Sequence, residues 1–395
     1  MTTEKTFLEF FAGIGLVHYG LQRAGWRCVY ANDICAKKQA MYLDEFPDAS
    51  YFHREDIWQT DRILAQINAP ATLATASFPC IDLSLAGYRK GLQGEHSSTL
   101  FGFLAVMKRL QERHQMPPLV MLENVTGLLT GNQGKDFEET CQAVAELGFY
   151  LDAFILDAKH FTPQSRPRLF LVGVAKSLLP STLPLRANPL WHARLKQRQA
   201  TSSAKLYEAL RTIKLPTGWI AFDLPPLPPE QRQLASVIDF DAAQEWWSEE
   251  EVRKHFDRMS DLHRRRVEAL LQSKQRWVGA MFRRIRTGTT RSEVRFDGLA
   301  GCLRTAKGGS GKQIVVVIEA GRLRMRWMTP VEYARLQGVP DFNIRRPRIQ
   351  ALTGFADAVC VPAIEWIAEH ILNPLVSGVD KRATYTEQSR LPFAA

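Results

Sequence analysis

The sequence predicts an α/β fold of the doubly wound, Rossmann-like kind, and three observations carry that expectation. Short apolar runs alternate with helical stretches as far as Ala175, the pattern of a largely parallel sheet covered on both faces. The first of these runs leads into a glycine turn and then a helix. Two chemically capable residues, Cys80 and Glu123, stand at the ends of later runs, where open α/β sheets gather their reactive groups.

Residues 5–10 read as an apolar strand running into Phe11-Ala12-Gly13-Ile14-Gly15-Leu16, and 17–24 as a helix closed by Gly25. Glycines at such a turn let backbone approach a ligand at the helix N-terminus. A strand at 27–31 ends in Asn32-Asp33, an acid placed to hydrogen-bond ribose hydroxyls, and a third strand candidate near His53 leads to Asp56-Ile57. These residues point to a nucleoside site and leave NAD and S-adenosylmethionine both open. A buried strand at 71–76 then delivers Phe78-Pro79-Cys80, with proline fixing the backbone before the thiol. After a polar segment at 90–99, a helix is expected over 100–114. A strand at 119–122 ends in Glu123-Asn124-Val125, putting Glu123 on the sheet edge that carries Cys80. A helix at 136–147 and a strand at 150–156 precede Gln164-Ser165-Arg166-Pro167-Arg168, which enters the strand 169–174. Arginines at i and i+2 share a face, so Arg166 and Arg168 are expected to converge on one ligand.

Beyond residue 178 prolines cluster and periodicity fades. A helical stretch is expected from Trp246 to Gln275. Arg283-Arg284-Ile285-Arg286 and the run Cys302 to Lys312 read as basic, glycine-rich loops suited to phosphate contact and base-edge reading. Thr329 and Pro330 read as N-cap and first residue of a helix ending at 335–340. Gly354 to Pro362 lead into a last helix over 363–371, and the tail after Pro374 is polar.

The 395 residues suffice for about two domains. A hydrophobic content of 45% with 23% charged residues is that of a globular chain, and no apolar run approaches the about 20 residues that span a bilayer. The N-terminus lacks a signal-peptide core, so a cytoplasmic location is expected. Six scattered cysteines without a C-x-x-C pair argue against a disulfide framework or zinc site and leave room for one reactive thiol. A net charge of +10 suggests a polyanionic partner.

Set in order, these pieces resemble the DNA (cytosine-5)-methyltransferases of bacterial restriction-modification type. The resemblance covers residues 1–175 and 320–372. It rests on Phe11-Ala12-Gly13-Ile14-Gly15, Phe78-Pro79-Cys80, Glu123-Asn124-Val125, Gln164-x-Arg166-x-Arg168 and Arg335-Leu336-Gln337-Gly338. It implies an S-adenosylmethionine-dependent methyltransferase domain over 1–178, completed by 341–375, with an inserted smaller target-recognition domain and hinge over 179–340 and a tail at 376–395. By the same resemblance, Cys80 attacks C6 of a flipped-out cytosine, Glu123 holds N3 and the exocyclic amine, Arg168 contacts O2, and Arg166 buttresses the loop and favours the thiolate. The cofactor lies against Phe11, Gly13, Ile14 and Gly15. Asp33 stands at its ribose and Asp56 and Ile57 at its adenine, Pro79 and Leu100 line the pocket, and Ile34 and Asp357 are further cofactor-binding residues. Ser84, Gln164, Arg283, Arg284, Arg286, Arg304, Lys307 and Lys312 are the expected DNA contacts. The partners so implied are double-stranded DNA, bound by a monomer, and a cognate restriction endonuclease or other defence component.

The chemistry fits those roles independently. C5 of cytosine is a poor nucleophile until a thiolate adds at C6. A positioned carboxyl group at N3 offsets the charge that develops in the ring. Neither atom is reachable inside a duplex, hence flipping. The chain departs from the family at Glu9 (usually Asp), Leu16 (Gly), Ile81-Asp82-Leu83 (Gln-x-Phe), Ser97 (Arg), Ala356 (Gly) and Asp357 (Asn). Three rivals share part of the pattern. A tRNA-modifying relative carries a Cys-Phe-Thr segment absent here. A DNA-binding regulator would not need Cys80, Glu123, Arg166 and Arg168. An NAD oxidoreductase rests on the glycine turn alone.

Overall fold

A computed structural model describes residues 4–79, 99–198, 203–241, 246–286, 288–305 and 311–377. Seven of the apolar runs form one sheet: β1 (Thr6–Phe10), β2 (Arg27–Asn32), β3 (Phe52–His53), β4 (Leu73–Ala76), β5 (Leu119–Val125), β6 (Phe149–Asp157) and β7 (Pro167–Ala175), in the order β3-β2-β1-β4-β5-β7-β6. Strands β1 to β5 pair in parallel, and all residues of β1 and β4 are buried, as expected of strands covered on both faces. Strand β7 runs antiparallel to both β5 and β6. This reversal brings the beginning of β7, rather than its end, to the carboxyl edge of the parallel strands. Arg168 is thereby level with Val125, two residues beyond Glu123.

Helices α1 (Leu16–Arg23), α2 (Ala36–Glu45), α3 (Thr60–Gln66), α4 (Thr99–Glu112) and α5 (Lys135–Glu146) cover the sheet. One core gathers Phe7, Leu21, Trp26 and Tyr42; the other gathers Leu8, Phe10, Phe103, Met107, Phe137 and Val144. Alternate residues of β1 feed opposite cores, as the period of a strand requires.

The next segment, expected in the second domain, attaches to the first sheet. Helices α6 (Pro189–Arg198) and α7 (Ala204–Thr212) bury Trp191, Leu195, Leu206 and Leu210 in the core that holds Phe149 and Leu151 of β6. Ile220 N–H donates to Leu151 O at 2.8 Å, and Arg198 grips the buried Asp152 through both guanidinium arms at 2.9–3.0 Å. By these contacts residues 189–222 extend the first lobe.

The helical stretch expected over 246–275 breaks in two, α8 (Glu249–Asp257) and α9 (Asp261–Leu271). Ser260 stops the run by accepting a hydrogen bond from His263 N–H as the N-cap of α9. The arginines expected on a flexible loop at 283–286 lie in a strand. Strands β8 (Trp277–Arg286), β9 (Thr289–Arg295), β10 (Ile314–Glu319) and β11 (Arg322–Trp327) make an antiparallel sheet ordered β11-β10-β8-β9. Gly288, at φ +76°, turns the β8–β9 hairpin. This sheet has its own core of Met281, Val294, Ile314, Val316 and Met325.

Helix α10 (Pro330–Leu336) starts as expected, with Thr329 and Glu332 forming a reciprocal capping box. Residues 354–357, expected before the last helix, are already helical, because α11 (Arg348–Asp357) buries Ala351, Leu352 and Phe355. Gly354 lies so close to Ile14 and Met41 that a Cβ there would sit 2.9 Å from each. Helix α12 (Val361–Ile367) continues helically to Ser377. Among the described residues one helical stretch, Arg348–Ser377, is long and apolar enough to cross a bilayer. Inside this fold 72% of its most apolar window is buried.

Candidate active site

The turn after β1 is built by its backbone. Ala12 N–H donates to Asn32 O at 2.8 Å, locking the turn to the end of β2. Phe11, Gly13 and Gly15 all take positive φ, at 56°, 61° and 85°. A Cβ on Gly15 would lie 2.6 Å from Phe46 and 2.9 Å from Tyr42, so this position requires glycine. Gly13 is crowded by no side chain within 4 Å, leaving its surface open to a ligand. Asp33 accepts from Gly13 N–H at 2.9 Å through one oxygen and from Cys35 N–H at 2.8 Å through the other. The carboxylate is thus fixed at the turn with further acceptor capacity on each oxygen. Among the described residues buried Asn32 Oδ1 has no partner.

Around this turn Ile34 is 67% exposed and Trp58 50% exposed, a pair of apolar side chains on the loops after adjacent strands. Asp56 accepts from Trp58 N–H at 3.1 Å, which shapes the loop after β3. Ile14, Ile57 and Leu100 are buried. Leu100, expected to line the pocket, has no exposed surface and sits in the core with Phe10, Ile57, Phe78 and Phe103, supporting the site from below. Asp357 forms an ion pair with Lys38 at 3.0 Å. Trp58 and Lys38 were not found by sequence reasoning. An aromatic directly after Asp56-Ile57 was the available signal for Trp58; nothing local marks Lys38.

Beneath the turn lies a buried polar network. Glu9 accepts from His18 N–H at 3.0 Å and from Tyr42 Oη at 3.3 Å, while His18 Nδ1 lies 2.6 Å from Tyr42 Oη and its ring stacks on Phe46. Burial pushes the Glu9 carboxyl up to about 8 and the His18 imidazole down to about 4. Glu9, His18 and Cys28 offer ligand atoms within 4.8 Å of one another, but Glu9 and His18 spend theirs within this network and Cys28 donates to Tyr30 O.

On the neighbouring strands, Phe78 and Pro79 follow β4, and Asn124 of β5 donates to the Phe78 carbonyl at 3.2 Å. The start of the Pro79-Cys80 loop is therefore tied to the residue after Glu123. Cys80 itself lies outside the described residues, as do Ile81, Asp82, Leu83, Ser84, Ser97 and Lys307. Glu123 is 8% exposed and pairs with Arg168 Nε at 3.0 Å. Burial raises its carboxyl above the ordinary carboxylate range, against the pull of Arg168, Arg166 and a Ser77 hydrogen bond.

The arginine pair divides its work. Arg168 faces Glu123, whereas Arg166 is 2% exposed and does not share that ligand-facing position. Its guanidinium donates to Leu303 O at 3.0 Å, Ala356 O at 2.9 Å and Ala358 O, tying β7 to α11 and to the loop leaving the second sheet. Gln164, expected to touch DNA, is fully buried. It donates to Leu336 O at 2.9 Å and accepts from Leu303 N–H at 3.3 Å, so it ties the segment before β7 to α10 and to the loop after β9.

The remaining expected DNA contacts lie on or beside the second sheet. Arg283 and Lys312 both stand over the Trp327 ring, at 5.0 and 5.5 Å from its centroid. Arg284 pairs with Glu293 at 3.7 Å, and Arg304 is exposed. Arg286 ends β8 at the hairpin tip. Two residues that sequence reasoning passed over join the site: Asn124, legible as part of Glu123-Asn124-Val125, and Cys302, whose sulfur lies beside both Arg166 and Arg168.

The family profile described as C-5 cytosine-specific DNA methylase matches residues 5–373. The chain is 26% identical to the type II methyltransferase M.HpaII of Haemophilus parainfluenzae, over 94% of this chain and 90% of that protein. It is also 26% identical to the type II methyltransferase M.NlaX of Neisseria lactamica, over 95% and 98%. Among solved structures it superimposes on the Dnmt2 methyltransferase of S. pombe with a TM-score of 0.57 at 15% identity, covering 94% of this chain and 99% of that one. It likewise resembles an Escherichia coli prophage-encoded putative DNA modification methyltransferase, with a TM-score of 0.52 at 16% identity over 93% and 98%. At such identities the structural likenesses establish the fold alone.

Proposed function

The chain belongs to the C-5 cytosine-specific DNA methylase family, and from that premise we propose that it methylates a cytosine flipped out of a specific duplex site, through a covalent bond between Cys80 and C6. Methyl transfer to DNA cytosine is the activity of the family, and its relatives belong to restriction-modification systems. The single observation that carries the finer reading is the arrangement at the strand ends. Asn124 ties the carbonyl of Phe78, two residues before Cys80, to β5, next to a buried carboxyl group that is paired with an arginine.

Family and fold imply S-adenosylmethionine, and the residues present fit it: an open glycine turn, a fixed acid, and exposed Ile34 and Trp58 for a flat heterocycle. When bound, the cofactor supplies an electrophilic methyl group. Asp33 would hold the ribose hydroxyls, the turn from Phe11 to Gly15 would carry the chain of the donor, and Asp56 with Ile57 would hold the adenine.

The chain's own residues do the rest. Cys80 adds to C6, and the electron density of the ring becomes enamine-like at C5, which can then accept a methyl group. Glu123, kept protonated more readily by burial, holds its proton at N3 and accepts from the exocyclic amine, offsetting charge that would otherwise build up on the ring. Arg168 keeps Glu123 oriented and reaches the base carbonyl at O2. Loss of the C5 proton to solvent water, with departure of the thiolate from C6, then restores the C5–C6 double bond and frees Cys80. The enzyme acts as a monomer on duplex DNA in the cytoplasm, protecting host DNA beside a cognate endonuclease or another defence component.

Incubation with labelled S-adenosylmethionine and mixed-sequence duplex DNA, followed by bisulfite sequencing, tests this. Label at one cytosine of a recurring site is expected; label on tRNA alone, or on no cytosine, overturns it. Cys80→Ser abolishes transfer, and Glu123→Gln lowers kcat by about 10²-fold or more. Full activity in Cys80→Ser would refute the covalent route.

A further inference from the structure

Arg166 presents an electrostatic problem. Its guanidinium is 2% exposed, and among the described residues no carboxylate lies within ion-pair distance of it. Its oxygen partners are three backbone carbonyls, of Leu303, Ala356 and Ala358. Burial disfavours its charge and Arg168 stands close enough to repel it, while Glu123, already paired with Arg168, attracts it only from beyond ion-pair distance. The group that meets both arginines is the sulfur of Cys302. Arg166 Nη1 donates toward Sγ at 3.4 Å, and Arg168 Nη2 and Nη1 lie at 3.9 and 4.0 Å. Among the described residues a thiol proton has one acceptor, the carbonyl of Leu303 at 3.5 Å, which already accepts from Arg166 at 3.0 Å. The surroundings of the sulfur are thus donors.

Cys302 also rides on a loop tied closely to β7. Ala300 N–H donates to Pro163 O at 2.7 Å, Ser165 N–H to Ala300 O at 2.9 Å, and Leu303 N–H to Gln164 at 3.3 Å. The same loop leads out of the second sheet through Leu299 and Arg295 of β9. Glu123 holds Arg168 by Nε, while Cys302 faces the two Nη atoms. The guanidinium is seated between them.

We propose that Cys302 is a positioning residue for methyl transfer: its sulfur, as an anion, is the counter-charge of the Arg166–Arg168 pair and holds Arg168 aligned with Glu123. This rests on the reading of Glu123 and Arg168 as the groups that bind the target base. It also makes their alignment depend on the seating of the recognition sheet, since the loop that carries Cys302 comes from it. The charged groups facing the sulfur are Arg166 just before β7, Arg168 within it and Arg304 from its own loop, with Glu123 behind Arg168. Burial works to raise the Cys302 thiol, and the three arginines outweigh it, leaving it below its ordinary value. Cys360, the other thiol near Arg166, is held up to about 11 by burial and stays protonated.

Two measurements on the full chain decide the matter. The first needs neither DNA nor cofactor. Alkylation of Cys302 by iodoacetamide is followed across pH, with its peptide resolved by mass spectrometry. Half-maximal reactivity below the ordinary thiol value of about 8.5 is expected, moving upward in Arg168→Gln; an ordinary or higher value overturns the proposal. The second compares Cys302→Ser, nearly isosteric but neutral, with Cys302→Asp, which restores an anion. Serine should lower kcat about tenfold with KM for DNA and cofactor within twofold, and aspartate should recover most of the loss. A wild-type-like serine variant, or an aspartate variant no better than serine, overturns it. If the wild type methylates no cytosine, the functional reading fails, and the alkylation profile still decides whether the anion is present.

Discussion

Glu9 places a carboxyl group in a site with 1% exposure, and the protein's response to pH follows from that choice. Its folded-state value, about 8 against an ordinary 4.5, means that the folded chain binds more protons than the unfolded chain between those limits, so stability falls as pH rises through them. His18 acts in the opposite sense. Held near 4 against an ordinary 6.5, it binds fewer protons when folded, and stability rises with pH across that window. The two effects oppose each other between 4.5 and 6.5, and of the two only that of Glu9 persists above 6.5. The expected outcome is a Tm that declines from pH 6.5 to 8 in the wild type and declines less in Glu9→Gln, measured by thermal unfolding in buffers of equal ionic strength. A decline equally steep in both would assign the effect to another group. The sequence shows Glu9 as a departure from the family's aspartate. It does not show why the longer acid is tolerated, because the hydrogen-bonding partners, Tyr42 and His18, are supplied by two separate helices.

At the scale of elements, the carboxyl edge of the sheet was legible wherever local pattern and position coincide. The buried runs ending at Ala76 and Leu122, just before Phe78-Pro79 and Glu123, mark strands, and Thr329-Pro330 marks a helix start. What could not be read was pairing at long range. The antiparallel sense of β7, which brings Arg168 to Glu123, depends on how the chain turns after β6, and Gln164 finds its partners 139 and 172 residues away. A polar residue beside two arginines therefore looks like a DNA contact until the fold buries it. Strand β11 was readable in principle, since Arg322 to Trp327 alternates charged and apolar residues with the period of a strand. Gln164→Leu tests this buried role. It leaves Leu303 N–H without its acceptor and should cost about 1–3 kcal/mol of stability by denaturant unfolding. The salt slope of DNA binding should stay unchanged, because no phosphate contact is removed. A slope lowered by about one unit would return Gln164 to the DNA surface.

For the whole molecule, the net charge of +10 matters through where it lies. The second lobe carries Arg258, Arg264, Arg265, Arg266, Arg283, Arg284 and Arg291 on two helices and a hairpin packed together, with Met259 bridged to Ser292 of β9. Some of these are offset: Arg264 by Asp261, Arg284 by Glu293. Others aggravate one another, and Arg258 helps to depress the Arg283 guanidinium, after the larger effect of burial. Like charges held together by a folded scaffold are relieved when a polyanion binds and counterions leave it. Affinity for any duplex should therefore fall linearly on a log–log plot against salt, with a slope of about −0.9 for each phosphate neutralised. Arg304 is exposed at the point where the loop leaves the hinge toward the second lobe. Arg304→Ala should lower the slope by about one unit. If affinity drops equally for all sequences, Arg304 meets the phosphate backbone. If the drop is confined to the methylated site, it reads a base edge, where each good contact is worth about 1–3 kcal/mol of discrimination. An unchanged slope with unchanged affinity would place Arg304 off the DNA and leave the Cys302 cluster as its only role.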